Sequence, residues 1–198
     1  MNSDTAATVQ SPAAEGMVPA LEAVLFSAPE PLTVRTLAGV FPGTAPEAIE
    51  AGLLLLQQRL DVPGRGVRLV AVAGGWQLRT REEYFQFVQG IAKVEREEHI
   101  SPAAIETLSV VAYKQPVTRA EVDAIRGAAS APHLRLLMER GLIRVTGRAD
   151  VPGAPFNYGT TKQFLKHFGL QSVKDLPDPK ELAKLLAEQG RLKSGDQA

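Results

Sequence analysis

The amino-acid sequence predicts a mainly α-helical chain with small β wings, an α+β fold made of two tandem winged-helix domains. Three observations carry that expectation. Helical hydrophobic spacing over residues 21–60 gives way to an alternating, glycine-bracketed run over residues 64–79; the same order of elements returns after residue 100; and a short motif repeats along with it.

Residues 1–18 are small and polar apart from Val9, Met17 and Val18, and read as a tail too poor in apolar groups to offset the entropy of ordering. Leu21, Val24 and Leu25 then fall at helical spacing, and Pro29-Glu30-Pro31 stops that helix. A second helix follows Thr33. A third starts near Pro46 and carries Ile49, Leu53, Leu56 and Leu60 on one stripe, with Leu54 and Leu55 widening it. Val67, Leu69 and Ala71 alternate against Arg68, Val70 and Val72, and Gly74-Gly75 before Trp76-Gln77-Leu78-Arg79 suggests a tight hairpin. Thr80 with Glu83 has the form of a capping box, so a helix burying Tyr84, Val88 and Ile91 should follow, with a charged end over residues 95–98.

The plan then recurs. Ser101-Pro102 is a cap with proline at the first helical position, and Ile105, Leu108 and Ala112 form the expected buried stripe. Thr118 with Glu121 is a second capping box. Ser130 is the expected cap of a helix with Leu134, Leu137 and Met138 inward, closed by Gly141-Leu142. Residues 142–146 and 156–158 are the expected wing strands, joined by the turn-rich residues 147–155. The letters repeat as well: Leu21-Glu22 with Pro31-Leu32-Thr33 returns as Ile105-Glu106 with Pro116-Val117-Thr118, offset by 84 and then 85 residues. A helix after Thr160 carries Phe164, Leu165 and Phe168 and ends at Gly169, and Leu182, Leu185 and Leu186 mark a short amphipathic helix beyond Pro177 and Pro179. The predicted division is a tail over 1–18, a first winged helix over 19–98, a second over 99–176, and a flexible C-terminal tail over 177–198 with that short helix.

Composition narrows the function. Among 198 residues, 22 Lys and Arg balance 22 Asp and Glu, so a broad basic footprint for duplex nucleic acid is missing and any contact with DNA is weak and local. There is no cysteine, which removes disulfides, thiolate metal sites and a thiol nucleophile. No apolar run reaches the ~20 residues of a membrane span, and no secretory leader is visible, so a cytoplasmic protein is expected. His99, His133 and His167 stand 34 residues apart on different elements, without metal-ligand spacing. Nucleotide-binding and nucleophile-elbow motifs are missing, and Gly159-Thr160-Thr161-Lys162 reads as a helix cap. The expectation is a protein that is not an enzyme, with no cofactor, no metal and no small-molecule substrate.

Two binding readings stay open. Glu47, Glu50 and only Arg59 on the first domain's third helix make a poor base reader, and its surplus leucines suit either an apolar interface or a deeper core. Residues 101–176 hold ten Lys and Arg against six Asp and Glu, with Arg135, Arg140, Arg144 and Arg148 near the third helix and wing, so a winged-helix DNA-binding transcriptional regulator is the alternative. Tyr113, Lys114 and Gln115 in the turn before Pro116 either grip a partner peptide or support that turn.

Ile105-Glu106-Thr107-Leu108, Ala112-Tyr113-Lys114-Gln115-Pro116-Val117-Thr118-Arg119 and Glu139-Arg140-Gly141-Leu142-Ile143 resemble the segregation and condensation protein B family. Gly74-Gly75-Trp76-Gln77-Leu78-Arg79-Thr80, Gly147-Arg148 with Val151-Pro152-Gly153, and Tyr158-Gly159-Thr160-Thr161 through Phe168-Gly169-Leu170 are similar to it too, so the likeness covers residues 19–178. Ala128-Ala129-Ser130-Ala131-Pro132 departs from the family pattern, where Val-Asn-Ser-Asp-Gly or similar is expected. The resemblance implies a non-enzymatic, nucleoid-associated homodimer of a condensin-like complex. It would bind the kleisin subunit ScpA and, through it, the SMC ATPase, in chromosome condensation and segregation. The amino-terminal domain would dimerise and the carboxy-terminal domain would bind the kleisin. Candidate partner residues are Tyr113, Lys114, Gln115, Arg119 and Arg135; candidate dimer residues are Leu54, Leu55, Phe85 and Phe87.

Overall fold

Proline and threonine punctuate the helices where the letters suggest, and the apolar stripes between them build two separate cores. A computed structural model describes residues 12–90 and 100–178. The first unit begins with α1 (Pro12–Ser27), α2 (Val34–Val40) and α3 (Pro46–Leu60). Thr33 caps α2, its Oγ1 accepting from the Thr36 amide at 3.1 Å. Ile49, Leu53, Leu56 and Leu60 face the core from α3, opposite Leu21 and Leu25 of α1.

Helix α1 corrects the expected tail over 1–18. It starts at Pro12, because Ala13 and Ala14 are strong helix formers and Val18 extends the Leu21–Leu25 stripe by one turn, where it is buried. The first residues of that tail, 1–11, lie outside the described residues.

Strands β1 (Val67–Val72) and β2 (Gly75–Thr80) form the first wing, antiparallel, with Val72 opposite Gly75. That register leaves Ala73-Gly74, not Gly74-Gly75, as the two-residue turn, and both have positive φ, 52° and 75°. Gly75 answers a different need. Leu32, just before α2, pairs with Trp76 through two backbone hydrogen bonds of 2.8 and 2.9 Å, and a Cβ at residue 75 would stand 2.9 Å from the Leu32 carbonyl. The expected alternation in β1 also breaks: Leu69 and Val72 are the buried pair.

The capping box at Thr80 and Glu83 does not form, because Thr80 is held as the last residue of β2, opposite Val67. A 3₁₀ turn (Glu82–Tyr84) leads instead into a five-residue helix, α4 (Phe85–Gln89), in which no residue is buried. Tyr84 is half-buried and Val88 exposed, against expectation; Ile91, residues 95–98 and His99 lie outside the described residues.

The second unit runs α5 (Pro102–Lys114), β3 (Val117–Thr118), α6 (Arg119–Arg126), α7 (Ala131–Glu139), β4 (Ile143–Arg148), β5 (Phe156–Thr160) and α8 (Lys162–Phe168). Its sheet has the order β3-β5-β4, with Val117 opposite Tyr158. Thr118 and Glu121 form the expected capping box, Ser101 caps α5, and Gly141, at φ 66°, closes α7. Two expectations need correction. Ile105 is 51% exposed, because the inward face of α5 is Ala104, Thr107, Leu108, Val111 and Ala112. Ser130 stands at the N-cap of α7 as expected, but its side chain makes no cap bond: its hydroxyl and amide both donate to the Asp123 carboxylate, tying α7 back to α6. Leu182, Leu185 and Leu186 lie outside the described residues.

The wing of the first unit meets α8 of the second. The Ala73 amide donates to the Leu170 carbonyl at 2.8 Å, Arg79 Nη2 donates to the Lys166 carbonyl at 3.1 Å, and Lys166 pairs with Glu30. Arg79 thus supplies positive charge and a donor at the C-terminal end of α8, where unpaired carbonyls and the helix dipole favour both.

Gly75→Ala should lower the unfolding free energy by about 1–3 kcal/mol, the usual cost of an overpacked contact, read from urea denaturation. A second outcome concerns acid. The Ser130 hydroxyl, then its amide, hold the Asp123 carboxyl below its ordinary value, with Arg119 and Arg126 adding to the effect and partial burial opposing it. A depressed carboxyl stabilises the fold fully above about pH 4, where an unfolded Asp is ionised, and that stability is lost as pH falls through the lower folded value. Asp123→Asn should therefore flatten the acid limb of a stability-against-pH curve and lower stability at neutral pH.

Candidate partner-binding surfaces

Three surfaces of the described residues bear on binding: an apolar groove beside α5 and α8, a polar recess at the second wing, and scattered apolar side chains on the first unit. Among the described residues no three His, Asp or Glu side chains come together as metal ligands, and no helix is long and apolar enough to cross a membrane.

The groove has a volume of about 330 Å³. Helix α5 contributes Ile105, Leu108, Ser109, Ala112 and Tyr113; α8 contributes Phe164 and Phe168; the chain after α8 contributes Leu170, Leu176 and Pro177. Phe164 is buried, while Phe168, tilted against it at 4.8 Å between ring centroids, is half-exposed at the rim. Tyr113 Oη donates to the Pro177 carbonyl at 2.8 Å, pinning that stretch of chain across the groove.

The five candidate partner residues do not share one surface. Tyr113 belongs to the groove. Gln115 turns the other way and has both ends of its amide engaged: Nε2 donates to the Ala112 carbonyl, and Oε1 accepts from the Thr160 amide at 2.8 Å and from its hydroxyl at 3.0 Å. It joins the end of α5 to β5, so its side chain supports the turn. Glycine at 159 makes room for it, since a Cβ there would stand 2.9 Å from Gln115 Oε1. The bond to Pro116 is cis. Gln115 and Pro116 also line the polar recess, about 400 Å³, with Thr146, Gly147, Arg148 and Asn157. Lys114 and Arg119 are exposed, and Arg135 pairs with Glu139 one turn along α7.

That pairing bears on DNA. Arg148 stacks on Phe156 at 4.3 Å and donates to the Ala154 carbonyl, so Arg148, like Arg135, is engaged within the chain. Exposed ion pairs of this kind contribute only about 0.3–0.5 kcal/mol, but they lessen the free charge offered to phosphates.

On the first unit, Leu54, Phe85 and Phe87 are 51%, 60% and 66% exposed. Leu55 is not: it turns into the core beside Leu56, which corrects its place among the outward leucines. Phe26, 83% exposed at the end of α1, escapes sequence reasoning, because its neighbours Val24 and Leu25 make it look like part of a helical stripe. The groove residues Ile105 and Phe168 escape it for the same reason; spacing alone does not tell a core residue from a rim residue on the edge of one stripe.

The family model described as "Segregation and condensation complex subunit ScpB" matches residues 19–179. The chain belongs to this family. Among its relatives, the segregation and condensation protein B of Clostridium tetani is 41% identical over 169 residues, covering 85% of this chain and 89% of the relative. That of Desulforamulus reducens is 44% identical over 162 residues, covering 82% and 88%. A crystal structure of ScpB from Mycobacterium tuberculosis is 34% identical, covers 79% of this chain and 97% of that one, and has a TM-score of 0.38. A dimer of an ScpB N-terminal domain complexed with a ScpA peptide is 26% identical, covers 40% of this chain and 99% of that one, and also has a TM-score of 0.38. The family's own description is that of a complex subunit in segregation and condensation.

If Gln115 is support, Gln115→Ala should lower the unfolding free energy by about 1–3 kcal/mol, because the Thr160 amide would lose its acceptor; a melting curve measures it. Tyr113→Phe should cost less, about 0.5–1.5 kcal/mol, since its hydroxyl makes one bond to an exposed carbonyl.

Proposed function

We propose that the chain is a non-enzymatic, homodimeric subunit of a condensin-like complex in the bacterial cytoplasm, associated with the nucleoid. It binds the kleisin subunit ScpA and, through it, regulates the SMC ATPase during chromosome condensation and segregation. The observation that carries this reading is the family match over residues 19–179, which spans both winged-helix units rather than one. Membership of a family described as a complex subunit in segregation and condensation supports a role inside an assembly.

The surfaces agree in chemistry. Leu54, Phe85 and Phe87 expose large apolar groups on the first unit, and burying such groups against a second copy provides the driving force for a dimer. The second unit offers the exposed cations Lys114 and Arg119, and a polar recess lined by Gln115, Arg148 and Asn157, for the kleisin. Dimerisation by the first unit and kleisin binding by the second is the division of labour we favour.

Light scattering tests both steps. The purified chain should weigh about twice its 21.2 kDa monomer and gain the mass of an added ScpA fragment. Phe87→Asp should raise the dimer dissociation constant at least tenfold, since burying a charge in place of a ring costs well over the 1.4 kcal/mol that a factor of ten represents. A chain that stays monomeric at all concentrations and ignores the fragment would sink the proposal.

A further inference from the structure

Strand β4 stands at one edge of the sheet order β3-β5-β4, and its residues 144–148 are all exposed. The register tells which of its main-chain groups are spoken for. The Thr161 amide donates to the Leu142 carbonyl at 3.2 Å, Arg144 stands opposite Gly159, and the Thr160 amide is turned away from β4 toward Gln115 Oε1. Opposed residues in an antiparallel ladder alternate between bonded and non-bonded pairs, so Arg144 bonds to β5 while Val145 turns its N–H and C=O to the open edge. The register then shifts at a bulge between Val145 and Gly147. Beyond it the Ala149 amide donates to the Pro155 carbonyl at 2.8 Å and Gly147 stands opposite Asn157, which makes Arg148 the next residue whose main chain points outward. Among the described residues nothing pairs with these outward groups. An edge of this kind is a template for another strand.

The side chains say which strand. Arg144 and Thr146 lie on the face of Gly159, where a Cβ would meet the Thr146 methyl, and Val145 lies on the opposite face with Tyr158 across from it. Arg144 has no hydrogen bond or ion pair among the described residues, Val145 is 40% exposed, and no carboxylate lines the polar recess at this wing. Asp150 is the sole acidic residue between Leu142 and Thr161. An occupant that satisfies this edge brings backbone donors and acceptors, an anion on one face and an apolar group on the other. Nucleic acid lacks the first, since phosphates have no donors for the outward carbonyls. A second copy of β4 lacks the anion and would set arginine against arginine, and like charges on paired strands repel.

We propose that the β4 edge of the second wing takes an extended acidic segment of a partner protein, added to the sheet as a fourth strand, with its main chain on Val145 and Arg148 and a carboxylate on Arg144. Strand addition draws affinity from main-chain bonds and selectivity from alternate side chains. The bulge keeps the added ladder short, so Arg144 and Val145 carry much of the selectivity, and the matching segment alternates Asp or Glu with Val, Ile or Leu. The inference rests on the subunit reading above, in which the second unit binds the kleisin, and specifies the chemistry of the segment bound.

Titrating a fluorescently labelled ScpA fragment with the full chain tests the side chains. Arg144→Glu should raise Kd at least tenfold, Arg144→Lys should cost less, and added salt should weaken the unaltered chain more than the Arg144→Glu variant. Val145→Pro deletes the outward N–H without removing a bond to β5 and should also cost at least tenfold, with a melting curve to confirm that the variant is folded. Hydrogen exchange read by NMR on the unaltered chain tests the backbone with no substitution at all. On binding the fragment, the Val145 and Arg148 amides should slow at least tenfold, while those of Arg144 and Gly147, already bonded to β5, change less than twofold. A fragment that binds Arg144→Glu with unchanged affinity and leaves the Val145 and Arg148 amides unprotected overturns the strand addition and leaves the subunit reading standing; a fragment that does not bind at all takes both down. Protection of those two amides in the chain alone, rising with its concentration, would assign the edge to a second copy, and protection by duplex DNA but not by the fragment would assign it to nucleic acid. Either result overturns the proposal.

Discussion

Both units hang on the same backbone pairing, between the residue that follows a proline before the second helix and an aromatic residue in the returning wing strand. In the first unit Leu32 pairs with Trp76; in the second Val117 pairs with Tyr158. Each pair draws the turn between the first and second helices into the wing sheet, so the hairpin closes against the helices rather than projecting freely. A two-stranded hairpin alone is marginal in water, and this third edge gives it a partner. The constraint reaches into composition: a Cβ at Gly75 would meet the Leu32 backbone at 2.9 Å, and one at Gly159 would meet the Thr146 methyl at 2.8 Å and Gln115 Oε1 at 2.9 Å.

That pairing explains why Pro31-Leu32-Thr33 and Pro116-Val117-Thr118 resemble each other. The proline ends the preceding segment, the apolar residue bonds to the wing, and the threonine caps the next helix through its hydroxyl. Three consecutive residues each serve a different neighbour, which leaves little freedom to vary. The repeat is legible in the letters; its cause, a contact with a strand some forty residues away, is not.

Other features divide along the same line. Caps at Thr33, Ser101, Thr118 and Thr161 depend on bonds to residues three positions away and are readable from sequence. Thr80 and Ser130 carry the same local signal, but a distant claim overrides it: a strand ladder takes Thr80, and Asp123 takes Ser130. Helix α1 starts ahead of its expected place because a sparse apolar pattern hides one well-placed valine. The surfaces are the least legible part. Leu54 and Leu55 look alike in sequence, and a rotation of one residue about α3 puts one in solvent and the other in the core. Gln115 looks available to a partner in sequence, yet both ends of its amide are in use.

The seam between the units joins two kinds of attraction with different sensitivity to the surrounding solution. Half-buried Lys166 and exposed Glu30 attract as charges in contact, which salt weakens only in part because physiological screening acts over about 8 Å. The Ala73 amide and the Arg79 guanidinium act through directed hydrogen bonds to carbonyl oxygens, which depend on lone-pair direction and short range. The angle between the two halves is therefore governed by stereochemistry as well as by charge. The molecule is a bracket whose joint is held by direction at two points and by charge at a third.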